Sequence, residues 1–243
     1  MRTLKICLIV AFSIVAKMNK LKLVALCFLM VLTSCSTEPE DSDDFDADVV
    51  CPAEGTNAYG MPNRGMFVDE RDGQEYRYTT IGNQVWMAEN LNYDAQGSIC
   101  QDRDPSKCEL YGRLYEFIED PIYGTINWEL IDSVCPIEWH LPTLEEWKQL
   151  QTYVGGTNSE TAASRLKSVS GWEKSKWGAG IDVCAFSVLP GGFFSYESSS
   201  EGNSARFLTA TSYSESMNYW FFFSKEMGYA YGYARYSIRC IKD

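Results

Sequence analysis

Three kinds of residue in this chain of 243 could do chemistry: nine cysteines, a single histidine, and a row of tyrosines near the C-terminus. A thiol can be acylated, oxidised or bound to a metal, and its neighbours decide which. Cys35 follows Leu32-Thr33-Ser34, small residues at the end of an apolar run, a pattern that directs lipid onto the cysteine and makes it the first mature residue. Cys7 and Cys27 lie upstream and leave with the signal. Cys51, Cys100, Cys108, Cys135, Cys184 and Cys240 remain, an even set suited to disulfides in an oxidising compartment, with 15 possible pairings. Cys100 and Cys108 bracket a short polar loop, so their encounter costs the least chain entropy.

His140 has no second histidine to share a metal, so neither a metal nor a cofactor is expected. It sits beside Pro142 at a helix entry, where a packed structural role is expected rather than that of a base for a serine or cysteine nucleophile. No catalytic residue is assigned. Tyr229, Tyr231 and Tyr233 alternate with Ala230, Gly232 and Ala234, so a strand would set three phenols on one face. Flat phenols can stack on sugar rings, which makes these three the candidate contacts for a glycan or protein ligand. The competing use of the same alternation is ordinary sheet packing.

These residues need elements to hold them. Thr143 and Glu146 form a capping box before Leu144, Trp147, Leu150 and Val154, which lie on one helical face, and Gly155 supplies a left-handed stop. The spacing predicts a helix of about three turns packed inward. A second helix is expected to start at Thr157 or Ser159 and run through Val169, with Ala162, Leu166 and Val169 inward. Before them, 65–69, 75–81 and 85–88 alternate like strands around turns at Asp72-Gly73 and Gly82-Asn83. After them, 184–194 reads as strand, turn, strand, and 205–213, 218–224 and 228–241 read as further strands, with Trp220-Phe221-Phe222-Phe223 in the core. Mostly antiparallel strands flanking two helices in the middle of the chain make the class α+β.

The apolar fraction of 45% and aromatic fraction of 14% suffice for one compact core. Residues 1–34 carry five basic groups and no acid, so the rest holds 16 basic against 33 acidic groups and a charge of −17. Such a polyanion is a poor partner for nucleic acid. Residues 18–22 are basic and 23–32 apolar, too short a run for a bilayer core of roughly 30 Å, so 1–34 is read as a lipoprotein signal peptide. A second basic and apolar segment at 1–17 suggests that translation begins at Met18. Residues 36–48 carry seven acids and no base, and 35–64 is read as an acidic tether and linker. Ser36 resembles the sorting signal of outer-membrane lipoproteins, so the expected place is the cell envelope, anchored in the outer membrane through Cys35; the acidic run fits either a surface-export signal, which it resembles, or a plain solvated spacer.

Six strings in order carry a family resemblance: Asp72-Gly73-Gln74-Glu75-Tyr76, Ile81-Gly82-Asn83-Gln84-Val85-Trp86, Tyr111-Gly112-Arg113-Leu114-Tyr115, Trp139-His140-Leu141-Pro142-Thr143, Phe186-Ser187-Val188-Leu189-Pro190-Gly191-Gly192, and Tyr236-Ser237-Ile238-Arg239-Cys240. Residues 65–243 resemble the Fibrobacter succinogenes major paralogous domain. The resemblance implies a C-type-lectin-like fold, shared with formylglycine-generating enzymes, and a bridge from Cys135 to Cys240. Cys51 and Cys184 are then left for each other. It carries no assigned activity. The Glu-Pro-Asn and Trp-Asn-Asp strings of calcium-dependent lectins are missing from the domain, and only Cys240 lies beyond Cys184, short of the late cysteine pair of the oxidising enzymes. The expectation is therefore a non-catalytic envelope lipoprotein that binds a glycan or protein. The alternatives are an enzyme of the formylglycine-generating kind and a structural part of an envelope assembly.

Overall fold

The computed structural model describes residues 45–116, 127–156, 160–173, 178–195, 201–214, 217–232 and 234–243. The described helices are α1 (Ala47–Val50), α2 (Pro105–Tyr111), α3 (Trp128–Ser133), α4 (Leu144–Tyr153) and α5 (Glu160–Leu166). The strands are β1 (Arg64–Val68), β2 (Glu75–Ile81), β3 (Gln84–Met87), β4 (Trp139–His140), β5 (Ala205–Ser214), β6 (Met217–Phe223), β7 (Met227–Gly232) and β8 (Ile241–Lys242). The class is α+β, with antiparallel pairing in a five-stranded sheet ordered β1-β2-β3-β8-β4 and a three-stranded sheet ordered β5-β6-β7.

Five described helices replace the two expected, and each extra one has a local cause. Asp104 caps α2 by accepting from the Ser106 N–H at 3.0 Å, Pro105 fits the first turn, and Gly112 ends it at φ +72°. Asn127 caps α3 through the Leu130 N–H at 2.9 Å, and Asp46 caps the single turn of α1. α4 forms as its capping box requires, with Thr143 and Glu146 bonded reciprocally. α5 stops at Leu166, short of Val169, which is 66% exposed. Lys167 instead pairs with Val188, and the Ser168 N–H donates to the Val188 carbonyl at 2.9 Å, so tertiary pairing overrides the helical period. The expected caps Thr157 and Ser159 lie outside the described residues, as does Trp177.

The last expected strand also divides. β7 ends at Gly232, and 235–237 runs across to bridge Phe194, Tyr115 and Phe207 before β8 joins β3 and β4. That crossing ties the two sheets together through one continuous segment. The 184–194 stretch makes isolated bridges at Val188, Gly192 and Phe194 rather than two strands. The segment from Phe45 onward, read above as tether and linker, is docked: Phe45, Ala47 and Val50 pack against buried residues and Cys51 is itself buried.

Trp147 of α4 is the hub of the first core cluster. Its ring stacks on Phe221 at 4.9 Å and Phe207 at 5.2 Å, tilts against Trp86 at 4.6 Å, and meets Phe186 and Phe223 edge-on. A second cluster gathers Tyr76, Met87, Leu91, Tyr115, Trp139 and Ile238. Strand alternation sends Phe221 and Phe223 into the first cluster, while Trp220 and Phe222 point to the other face and remain only partly buried; the four are not all core. Three disulfides join Cys100 to Cys108, Cys135 to Cys240, and Cys51 to Cys184. The longer two span 105 and 133 residues, and the chain-entropy model assigns each about 4–5 kcal/mol.

Candidate functional site

β7 is the edge of the three-stranded sheet, and its register places Tyr231 opposite Tyr219 and Tyr229 opposite Phe221. Paired residues share a face, so these tyrosines continue the aromatic face that α4 covers. Tyr229 is 47% exposed and Tyr231 52%. Two tyrosines that the alternation alone did not reveal complete the group. Tyr213 of β5, 45% exposed, stacks flat on Tyr231 with centroids 3.7 Å apart and planes 5° apart. Tyr219 stands edge-on to Tyr213 at 5.5 Å, Tyr229 at 6.1 Å and Tyr231 at 6.4 Å. Tyr233 lies outside the described residues. Gly228, Ala230 and Gly232 fall on the opposite face, where Gly228 admits the Phe222 ring at 3.2 Å from the position of a Cβ.

Lys148 of α4 borders the cluster, its Nζ 5.0 Å from the Tyr229 ring and 2.7 Å from Glu145 Oε1. The Tyr213 phenol is pushed above its ordinary range, first by its hydrogen bond to Tyr231 and then by the neighbouring phenols. Within the cluster the Tyr213 phenol therefore stays neutral at physiological pH. Exposed, flat and carrying hydroxyls at the rim, the cluster offers stacking faces and hydrogen bonds together. It gathers no nucleophile and base.

His140 holds two carboxylates rather than serving a nucleophile. Nδ1 meets Asp243 Oδ1 at 2.7 Å and Nε2 meets Glu146 Oε1 at 2.9 Å. Its pKa is raised, chiefly by the bond to Glu146 and further by Asp243, against the opposing effect of burial. Glu146 is lowered: burial pushes it up, but the bonds from His140 and from the Thr143 N–H and hydroxyl together outweigh that. His140 thus joins the α4 cap to the residue after β8.

A cleft of about 400 Å³ opens beside α2, lined by Glu75, Arg77, Glu89, Asn92, Tyr111 and Arg239 among others. Arg239 is 1% exposed and each of its side-chain nitrogens is bonded: Nε donates to Asn90 Oδ1 at 2.8 Å, Nη1 to the Phe186 carbonyl, and Nη2 to the Ser187 carbonyl at 2.9 Å. Burial lowers its pKa to about 9, with Asp182 and Glu89 pulling the other way. Ser187 donates its hydroxyl to Asp182 at 2.5 Å and its N–H to the same carboxylate at 2.7 Å. These bonds hold Asp182 and Ser187 at φ +47° and +53°, so the serine closes a turn and stands beside no imidazole. Among the described residues no group of three or more His, Cys, Asp or Glu side chains is set to hold a metal.

No described helix is long and apolar enough to cross a membrane, and Cys35 lies outside the described residues. Residues 79–242 match the model of the Fibrobacter succinogenes major domain. No curated protein and no solved structure shows a significant match.

Proposed function

The chain belongs to the Fibrobacter succinogenes major domain family, and from that premise we propose a non-catalytic binding module of the cell envelope, lipid-anchored through Cys35 and taking glycan ligands on its exposed tyrosines. The observation that carries the reading is the cluster of Tyr213, Tyr219, Tyr229 and Tyr231 at a sheet edge, with three of the four about half exposed. Aromatic rings in the interior earn their place by burial, whereas these keep a stacked and edge-on arrangement in contact with water. A sugar ring presents axial C–H groups to such a surface and hydroxyls to its rim. A glycan fits that pairing better than a protein ligand, which would want a larger apolar centre.

The finer kinship with C-type lectins belongs to the same proposal. It is supported by the bridge from Cys135, just before β4 and α4, to Cys240, just before β8. The lipid anchor is proposed from the sequence around Cys35, and the outer-membrane, outward-facing location from Ser36 and the acidic run after it. Two experiments test the two halves. Labelled palmitate attaches to the protein and is lost in Cys35→Ser; unchanged labelling removes the anchor. On a glycan array the protein retains a defined set of sugars, and the Tyr229→Ser, Tyr231→Ser double variant loses them with its unfolding midpoint nearly unchanged. An array bound equally by both proteins rejects the platform.

A further inference from the structure

The opposite face of the same three-stranded sheet holds a cation that, among the described residues, has aromatic neighbours but no hydrogen-bond acceptor. Arg206 of β5 is half-buried, with its guanidinium 3.6 Å from the Phe193 ring centroid and 4.4 Å from that of Trp220. Contact with aromatic rings uses the charge of a guanidinium but none of the N–H groups around its edge. Among the described residues no oxygen accepts from them and no carboxylate pairs with the charge. Burial lowers the Arg206 pKa, and the opposing influence is the Tyr236 phenol.

Two more donors stand in the same place without acceptors. Trp220 Nε1 is buried and has no hydrogen-bond partner, and among the described residues nothing accepts from the Tyr236 hydroxyl. Their rings stack on each other with centroids 5.7 Å apart. They also converge on one point: a Cβ built on Gly232 would lie 3.6 Å from Trp220 Nε1 and 3.8 Å from the Tyr236 hydroxyl. The absence of a side chain at Gly232 therefore leaves both donors unblocked from that position, one of them on the ring that Arg206 covers. The carboxylate with most influence on Tyr236, Glu116, is already held by Arg235 at 2.6 Å.

The geometry points to an oxyanion-binding subsite, in which the edge of Arg206, the indole N–H of Trp220 and the Tyr236 hydroxyl receive the carboxylate or sulfate group of an acidic sugar. A planar or tetrahedral oxyanion satisfies a guanidinium edge with two parallel bonds, which a neutral hydroxyl cannot do. A buried donor left empty also costs free energy that an acceptor restores. That the oxyanion is carried on a sugar rests on the glycan reading above. The subsite itself does not, because it lies on the other face of β7 from Tyr229 and Tyr231.

The test follows the indole N–H signals of the full chain in detergent by NMR, the Trp220 signal being the one missing in Trp220→Phe. Glucuronate and glucose 6-sulfate are titrated separately to distinguish the two oxyanions, with methyl glucoside as the neutral comparator. The expected result is a saturable shift of the Trp220 signal with at least one anion and none with methyl glucoside. Arg206→Gln weakens that anion at least tenfold with near-ultraviolet dichroism unchanged. If Arg206→Gln does not fold, Arg206→Lys takes its place, keeping the charge, losing the bidentate fork and weakening binding several-fold. Tyr229→Ser with Tyr231→Ser leaves the shift intact, so failure here and failure of the tyrosine platform are distinguishable. No saturable shift with either anion, an equal response to methyl glucoside, or an arginine variant that binds like the parent overturns the proposal and leaves water alone on these donors.

Discussion

Along β6, Phe221 and Phe223 are fully buried, whereas Tyr219, on the same face, meets solvent beside Tyr229 and Tyr231. Phe221 and Tyr229 are direct cross-strand partners, yet one is sealed and the other about half exposed. What separates them is α4. Trp147 lies flat on Phe221 at 4.9 Å, whereas the next residue, Lys148, sets only its Nζ over Tyr229, 5.0 Å from the ring centroid. The sheet face is thus one aromatic surface half covered by a helix, with phenylalanine where water is excluded and tyrosine where a hydroxyl can stay wet. The two halves should respond to substitution in opposite ways, one losing stability and the other losing ligand.

The largest expected effects fall on the covered half and its staples. Replacing Cys135 and Cys240 with serine removes a bridge across 105 residues and costs about 4–5 kcal/mol, a third or more of the stability of an ordinary domain. Guanidinium unfolding should show the midpoint fall in proportion. A midpoint within a few tenths molar of the parent would show that the bridge adds little to an already ordered chain. Phe221→Ala should cost about 3–5 kcal/mol through lost burial and the cavity left against Trp147. Tyr231→Ser should cost no more than about 1 kcal/mol, since it gives up one exposed stack on Tyr213. Equal losses from the two would erase the distinction between covered and uncovered halves.

The smallest effect is electrostatic and lies at the entry to α4. The pKa of His140 is raised by Glu146 and Asp243, so its contribution is fully present below the unfolded value near 6.5 and is lost as pH rises through the raised folded value. The pKa of Glu146 is lowered, so its share is present above the ordinary carboxylate range and is lost as pH falls through the folded value. The pair is therefore worth most between those limits. His140 is 40% exposed, which holds the gain to under about 1 kcal/mol. The stability gap between parent and His140→Gln should shrink from pH 6 to pH 9, and a gap that widened would reverse the assignment.

How much of this the sequence disclosed depended on whether the signal was local. The capping box at Thr143 and Glu146, the Asp72-Gly73 turn and the inward face of Leu144, Trp147, Leu150 and Val154 are set by neighbours in the chain, and all were legible. α2 carried equally local signals in Asp104, Pro105 and Gly112, but its bracketing cysteines read more readily as a stapled loop. The early end of α5 could not be read from its own residues, because Val188, over twenty positions away, takes the next backbone bonds. In the tyrosine cluster, the alternation marked Tyr229 and Tyr231, while Tyr213 and Tyr219 come from two other strands and meet them only through register. Arg206 gave no signal at all, since its isolation from acids is a property of the folded surface.

The most direct measurement of the central claim uses tyrosine rings as reporters. The protein is labelled with carbon-13 in its tyrosine rings and titrated with a sugar selected on the array, and the ring signals are assigned by substitution. The account predicts saturable shifts at Tyr213, Tyr219, Tyr229 and Tyr231, with the buried rings of Tyr76, Tyr78 and Tyr115 unmoved. Saturable binding that leaves the four exposed rings unmoved, or no binding by any sugar, would contradict it.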